Sequence, residues 1–194
     1  MRISLVPFKR VSPGPIGGRG AWLRDESGSA AVEFALVAVP FFLFVFGIIG
    51  VGLYFFTQSA LDRGLENAAR KIRTGEAQQA AVTVGQFKTS ICTEAGTYID
   101  CSKVSVIVQS ASDWSGIAPL SCVDSNNNMV GSTGATGDLI SKYSGASKTV
   151  VLVTVCYKWE LAQMFSFLKL GSGPGGTGAA VVQAATTFRS EPYS

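Results

Sequence analysis

The chain has 194 residues, 47% of them apolar and 15% charged, with a formal charge of +3. A soluble domain usually carries about 25% charge, so an apolar segment must lie somewhere, and the remainder suits one modest domain. Histidine is absent, which removes the commonest general base and metal ligand together with every Ser-His or Cys-His nucleophile.

Residues 1–28 are basic (Arg2, Lys9, Arg10, Arg19, Arg24) and rich in Gly and Pro, as in Pro13-Gly14-Pro15. Such a composition cannot bury a core, and a tail on the cytoplasmic side is expected. Small residues, Gly28-Ser29-Ala30-Ala31, then lead through Val32 and Glu33 into a charge-free run from Phe34 to Phe56. As a helix that run is roughly 35 Å long, enough to cross a bilayer once. Pro40 falls early in it, and Gly47, Gly50 and Gly52 thin it so that a neighbour can approach closely. The basic residues before the span favour a cytoplasmic N-terminus by a small margin, since Arg63, Arg70, Lys71 and Arg73 follow it. Glu33 at the membrane edge has two readings: a functional acid that needs a partner, or an interfacial acid in the first turn, favoured by the helix dipole.

After the span, Leu61, Leu65, Ala68, Ala69 and Ile72 recur at helical spacing, and Gly75 is placed to cap the end. One helical rod over 29–74 is expected, roughly 65 Å long if straight. Residues 82–95 suggest a short helix with an ill-defined start. Val104, Val106 and Val108 alternate with Ser105, Ile107 and Gln109 as in a strand, and a second β-rich run covers 149–159. The stretch 110–148 reads as loop, Leu161 to Leu170 as a short apolar helix, 171–178 as a linker and 179–188 as a last strand. The fold expected is α+β: a long N-terminal transmembrane helix, then a small extracytoplasmic domain, 75–194, with an antiparallel sheet and short helices.

All four cysteines, Cys92, Cys101, Cys122 and Cys156, follow the apolar run at spacings unlike a zinc site. They read as disulfides, which implies an oxidising compartment. Of the three possible connectivities, the local pair Cys92–Cys101 with Cys122–Cys156 is favoured. Gly171 to Gly176 satisfies GxGxxG formally, but no βαβ unit can follow it and a linker is the better reading. Asp113, Trp114, Tyr157 and Trp159 are weighed as a binding patch, with core packing preferred for the strand aromatics. The carboxylates Asp100, Asp113, Asp124 and Asp138 have no spacing that supports catalysis. Without histidine or a supporting motif no enzyme activity, cofactor or metal is expected, and no nucleic-acid partner is expected because residues 80–194 present no basic stripe.

The stretch G-S-A-A-V-E-F-A-L-V-A-V-P over residues 28–40 resembles the N-terminus of the TadE family, the minor pilin-like proteins of the Tad (Flp) pilus system, which belongs with type IV pili. The ending Ala184 to Tyr193, with Arg189-Ser190-Glu191-Pro192, is similar to the closing strand and Arg-x-Glu-Pro ending common in that family. The resemblance implies that a prepilin peptidase of the bacterial inner membrane cuts after Gly28, leaving Ser29 as the new N-terminus, Glu33 as the fifth residue and Phe34 beside it. It further implies that Glu33 meets the N-terminal amine of a neighbouring subunit during assembly. Other Tad pilus subunits, the peptidase and the lipid bilayer are the expected partners. The expected location is the inner membrane, with the C-terminal domain periplasmic or displayed on a pilus at the cell surface. A different class remains open: a membrane-tethered receptor or envelope-binding module that never enters a filament.

Overall fold

The computed structural model describes residues 29–126, 128–171 and 178–192. Helix α1 runs from Ser29 to Arg73 with Pro40 inside it. Two compact units divide within this helix, Met1–Leu43 and Phe44–Ser194. The first, as far as it is described, is apolar helix. The second takes in the rest of α1 and the whole head.

Gly75 ends α1 in the left-handed region, φ 79°, and its N–H donates to the Ile72 carbonyl at 3.1 Å. Glycine enters that region without a Cβ penalty, so the helix stops where the sequence placed its cap. A one-turn helix, α2 (Glu76–Gln79), follows, and then α3 (Val84–Ala95). A reciprocal cap fixes the α3 start: the Thr83 hydroxyl accepts from Gln86 N–H at 3.2 Å, and the Gln86 side chain accepts from Thr83 N–H at 2.9 Å. The T-x-x-Q pattern that specifies this cap was legible at Thr83, among the β-branched residues that obscured the boundary.

Three strands, β1 (Val104–Ala111), β2 (Val150–Trp159) and β3 (Ala180–Arg189), form an antiparallel meander in the order β1-β2-β3. Val106 lies opposite Val155, which lies opposite Ala184. Alternation then sends Val104, Val106, Val108, Val153, Val155, Trp159, Val182 and Ala184 to one face. There they bury against Leu61, Leu65, Ala68 and Ile72 of α1 and Phe87 and Ile91 of α3. Trp159 and Tyr157 are therefore core residues, as preferred above, whereas Trp114 stays exposed near the far end of the sheet. These aromatics do not form one patch.

β2 reads as a nearly unbroken apolar run because both of its faces are covered. On the second face Ile107 and Cys156 pack with Cys122, Met129 and Val130 from the 117–133 loop. Cys122–Cys156 staples that loop to the central strand, and Cys92–Cys101 ties the end of α3 to the start of β1. These are the favoured pairs. The loop also seals the outer edge of β1: Val106 N–H donates to Ser132 Oγ at 3.1 Å, Val108 N–H to Thr133 Oγ1 at 3.0 Å, and Thr133 N–H to the Val106 carbonyl at 2.9 Å.

The apolar segment after β2 is a 3₁₀ stretch, Glu160–Leu168, broken at Phe165, rather than a regular α-helix. Short runs of i to i+3 bonds are the usual extent of this geometry. The GxGxxG segment lies almost wholly outside the described residues, and a strand, β3, is the next element after it.

Candidate functional site

The surface that distinguishes this chain is the first half of α1. From Ala30 to Phe56 every side chain is exposed except at Ala38, Val45, Gly47, Gly50 and Tyr54. Phe34, Leu36, Val37 and Phe44 each leave about 70% of their surface uncovered. An apolar helix of this length, bare along its sides, has the length and composition to cross a membrane. A core helix would be covered, and this one is not.

Glu33 is exposed at the start of this surface, beside Phe34. The first turn of α1 contains no acidic residue. Glu33 comes one turn later, where the helix dipole acts more weakly, so the dipole accounts for less of this acid than its sequence position suggested. Gly28, the residue expected on the other side of the cleavage point, lies outside the described residues, as does the side chain of Ser29.

Two of the three glycines of the span meet another part of the chain. A Cβ on Gly50 would lie 2.9 Å from Leu168 Cδ1 and 3.0 Å from the Phe165 ring, and one on Gly47 would touch Leu168 at 3.7 Å, while Gly52 faces open space. The close neighbour expected from these glycines is thus the chain's own 3₁₀ stretch. Thr57 closes the apolar run: it is buried, and its hydroxyl donates back to the Leu53 carbonyl at 2.8 Å.

The four head carboxylates act as local turn caps. Asp100 accepts from the Ser102 hydroxyl at 2.7 Å and its N–H at 3.0 Å. Asp113 accepts from the Ser115 hydroxyl and from the N–H groups of Ser115 and Gly116. Asp124 takes the N–H groups of Asn126 and Asn128, both at 2.8 Å. Asp138 holds the Tyr143 hydroxyl at 2.5 Å and Ala135 N–H at 3.2 Å. Hydrogen bonds to the ionised form hold three of these carboxyls below the usual range, chiefly from the hydroxyls of Ser102 on Asp100, Ser115 on Asp113 and Tyr143 on Asp138. Each acid therefore serves its own turn, and the four do not converge. Among the described residues no cluster of three His, Cys, Asp or Glu is arranged to hold a metal.

A long, bare, apolar N-terminal helix followed by a small α+β head defines the class: a candidate single-span membrane protein with a disulfide-stapled domain. Residues 28–70 match the family model described as TadE-like protein. The match spans α1 to within three residues of its end and goes no further, so the likeness is to the N-terminal helix alone. The similar ending at 184–193 lies beyond the matched residues. No curated protein and no solved structure matches the chain.

Proposed function

We propose that the chain is a minor, pilin-like subunit of Tad (Flp) pilus assembly. Prepilin peptidase cuts it after Gly28, α1 holds the mature protein in the inner membrane, and the head lies on the periplasmic side. The protein acts structurally, in pilus biogenesis and adhesion, and not as an enzyme. The observation that carries this reading is the uncovered apolar face of α1, beginning at Glu33 and Phe34, within the TadE-like match. A helix left bare on a folded domain needs lipid or other helices to cover it, and a pilin-like subunit uses both in turn.

Glu33 has a defined task in this scheme. After cleavage it is the fifth residue, and its carboxylate pairs with the new Ser29 amine of an adjacent subunit as helices pack. An ion pair made where dielectric is low is strong and selective for its partner. The two disulfides suit an oxidising periplasm. Unlike a secretory signal, the proposed cleavage point precedes the apolar run, so the span stays in the mature chain.

The test is the N-terminus and intact mass of the protein taken from its native membrane, with and without prepilin peptidase. A chain beginning at Ser29 only when the peptidase is present supports the proposal. An uncut chain in both strains overturns it and leaves a tethered receptor or envelope-binding module.

A further inference from the structure

Glu160 to Leu170 follows the central strand as E-L-A-Q-M-F-S-F-L-K-L. Seven of these eleven residues are apolar, yet the stretch is not a core element: Leu161 is 45% exposed, Met164 74% and Phe167 45%. Phe165 and Leu168 lie against Gly50, and Leu168 and one edge of the Phe167 ring also reach Gly47. Ala162 alone joins the main core as a fully buried residue of the stretch.

The contact at Gly50 fixes the level of this stretch along α1. The apolar run ends at Phe56, six residues later. At 1.5 Å per residue, Gly50 lies roughly 9 Å inside that end and Gly47 roughly 13 Å. Helices that lie in a membrane surface bury their apolar side about 5–10 Å deep. Neighbouring groups agree with this level. Tyr98, 47% exposed, stacks on Phe56 with ring centroids 5.0 Å apart, and aromatic rings with one polar tip favour the membrane–water boundary. At the start of the stretch, Lys103 pairs with Glu160 at 2.7 Å and with Asp100 at 3.4 Å, and Lys158 pairs with Glu160 at 3.6 Å. The Lys103, Lys158 and Glu160 cluster thus sits at the end that joins the sheet, and Lys169, at the other end, carries a long stem that can reach headgroups.

We propose that the Leu161–Leu168 stretch is a second membrane-contact element, which inserts Leu161, Met164 and Phe167 among lipid acyl chains beside α1. The occupant is lipid because the exposed apolar patch adjoins the bare side of α1, where Ile48, Ile49 and Val51 are exposed. The inference rests on the reading of α1 as a span. The glycines acquire a reason from it: Gly47 and Gly50 let Phe165 and Leu168 dock on the helix, which leaves Leu161, Met164 and the uncovered half of Phe167 facing outward. The head would then be held to the bilayer at two places and fixed in orientation, instead of swinging on a single helix.

The test uses the full chain in phosphatidylcholine vesicles, with nitroxide labels on single added cysteines and both native disulfides intact. Labels at Met164→Cys and Phe167→Cys are compared with Phe44→Cys, in the span, and Trp114→Cys, at the far end of the sheet. Collision with oxygen and with a neutral nickel chelate is read for each, since the chelate is excluded from hydrocarbon. The expected oxygen-to-nickel ratio at 164 and 167 is within about twofold of that at 44 and roughly tenfold above that at 114, unchanged as lipid is added in excess. A nickel-accessible label at 164 and 167 with a protected label at 44 overturns the insertion and leaves the span intact. Low accessibility to both reagents, relieved by dilution in lipid, shows a second protein copy on the patch and also overturns it. Nickel access at 44 removes the span reading itself, and the insertion with it.

Discussion

Glu191 closes the chain onto the end of α1 through two contacts with Arg73. Its N–H donates to the Arg73 carbonyl at 2.8 Å, and its carboxylate meets Arg73 Nε at 3.3 Å. The carbonyl is one of the last-turn acceptors that a helix cannot satisfy internally. A residue two places beyond the end of β3 is not needed to finish the sheet; here it finishes the helix.

The two contacts have separable weights. Both side chains of the ion pair are about half exposed, so Glu191→Gln should cost less than about 1 kcal/mol. Truncation after Arg189 also removes Ser190, which is buried, bonds to the Thr149 carbonyl through its N–H and accepts from Lys148 N–H. Loss of these backbone bonds should cost about 2–4 kcal/mol. Urea unfolding of the two variants in detergent micelles should separate them clearly.

At Gly64 the α1 backbone passes close to that of α3. A Cβ there would lie 2.5 Å from the Ile91 carbonyl oxygen and 3.0 Å from both the N and the Cβ of Ala95. Backbone cannot yield as a flexible side chain does, so Gly64→Ala should destabilise the head by about 1–3 kcal/mol in spite of alanine's better helix propensity. The same change at Gly52, which faces open space, should leave the unfolding midpoint unchanged or slightly raised.

The disulfides should differ in weight. Cys122 and Cys156 are separated by 34 positions and Cys92 and Cys101 by 9. On the loop-entropy argument their removal costs about 4 and about 3 kcal/mol respectively. Cys122→Ala/Cys156→Ala also loosens the second-face cluster, so rapid hydrogen exchange is expected at Val106 and Val108 in that variant. The Cys92→Ala/Cys101→Ala protein should keep those amides protected.

Acid should act on the 134–143 turn through Asp138. Its carboxyl is held low by the Tyr143 hydroxyl, then by Ala135 N–H, with Lys142 adding a smaller favourable charge. A carboxyl lowered in the fold stabilises it fully above the unfolded value, about 4, and that contribution is lost as pH falls through the lower folded value. Asp138→Asn should therefore be less stable than the parent protein at pH 7, and the gap should close by pH 2. A gap that stayed constant with pH would assign the effect to packing.

The long helix, the three strands and the favoured disulfides were legible because each depends on local pattern: a charge-free run, alternation about Val104 to Val108, and cysteines confined to one side of the span. The second half of α1 was also legible as a helix, but its role was not. Leu61, Leu65 and Ile72 show which face is buried without showing that the sheet is what buries it. Likewise Leu161 to Leu170 looked like an ordinary apolar helix, since no local spacing reveals that Gly47 and Gly50, more than a hundred residues earlier, provide its seat. The four aspartates had no spacing that supports catalysis, and their local task was legible though unread: Asp113 with Ser115 and Gly116, and Asp124 with Asn126 and Asn128, already carried the spacing of self-capped turns.

The sealed edge of β1 also limits how copies of this protein can join. A strand from another molecule that sought to extend the sheet there would first have to displace Ser132 and Thr133 and pull the loop away from its tether at Cys156. Growth through main-chain pairing, the route by which many sheet proteins run into uncontrolled fibres, is closed on that side. Under the proposed pilin-like role, subunits are thereby left to join through other surfaces, the bare side of α1 among them.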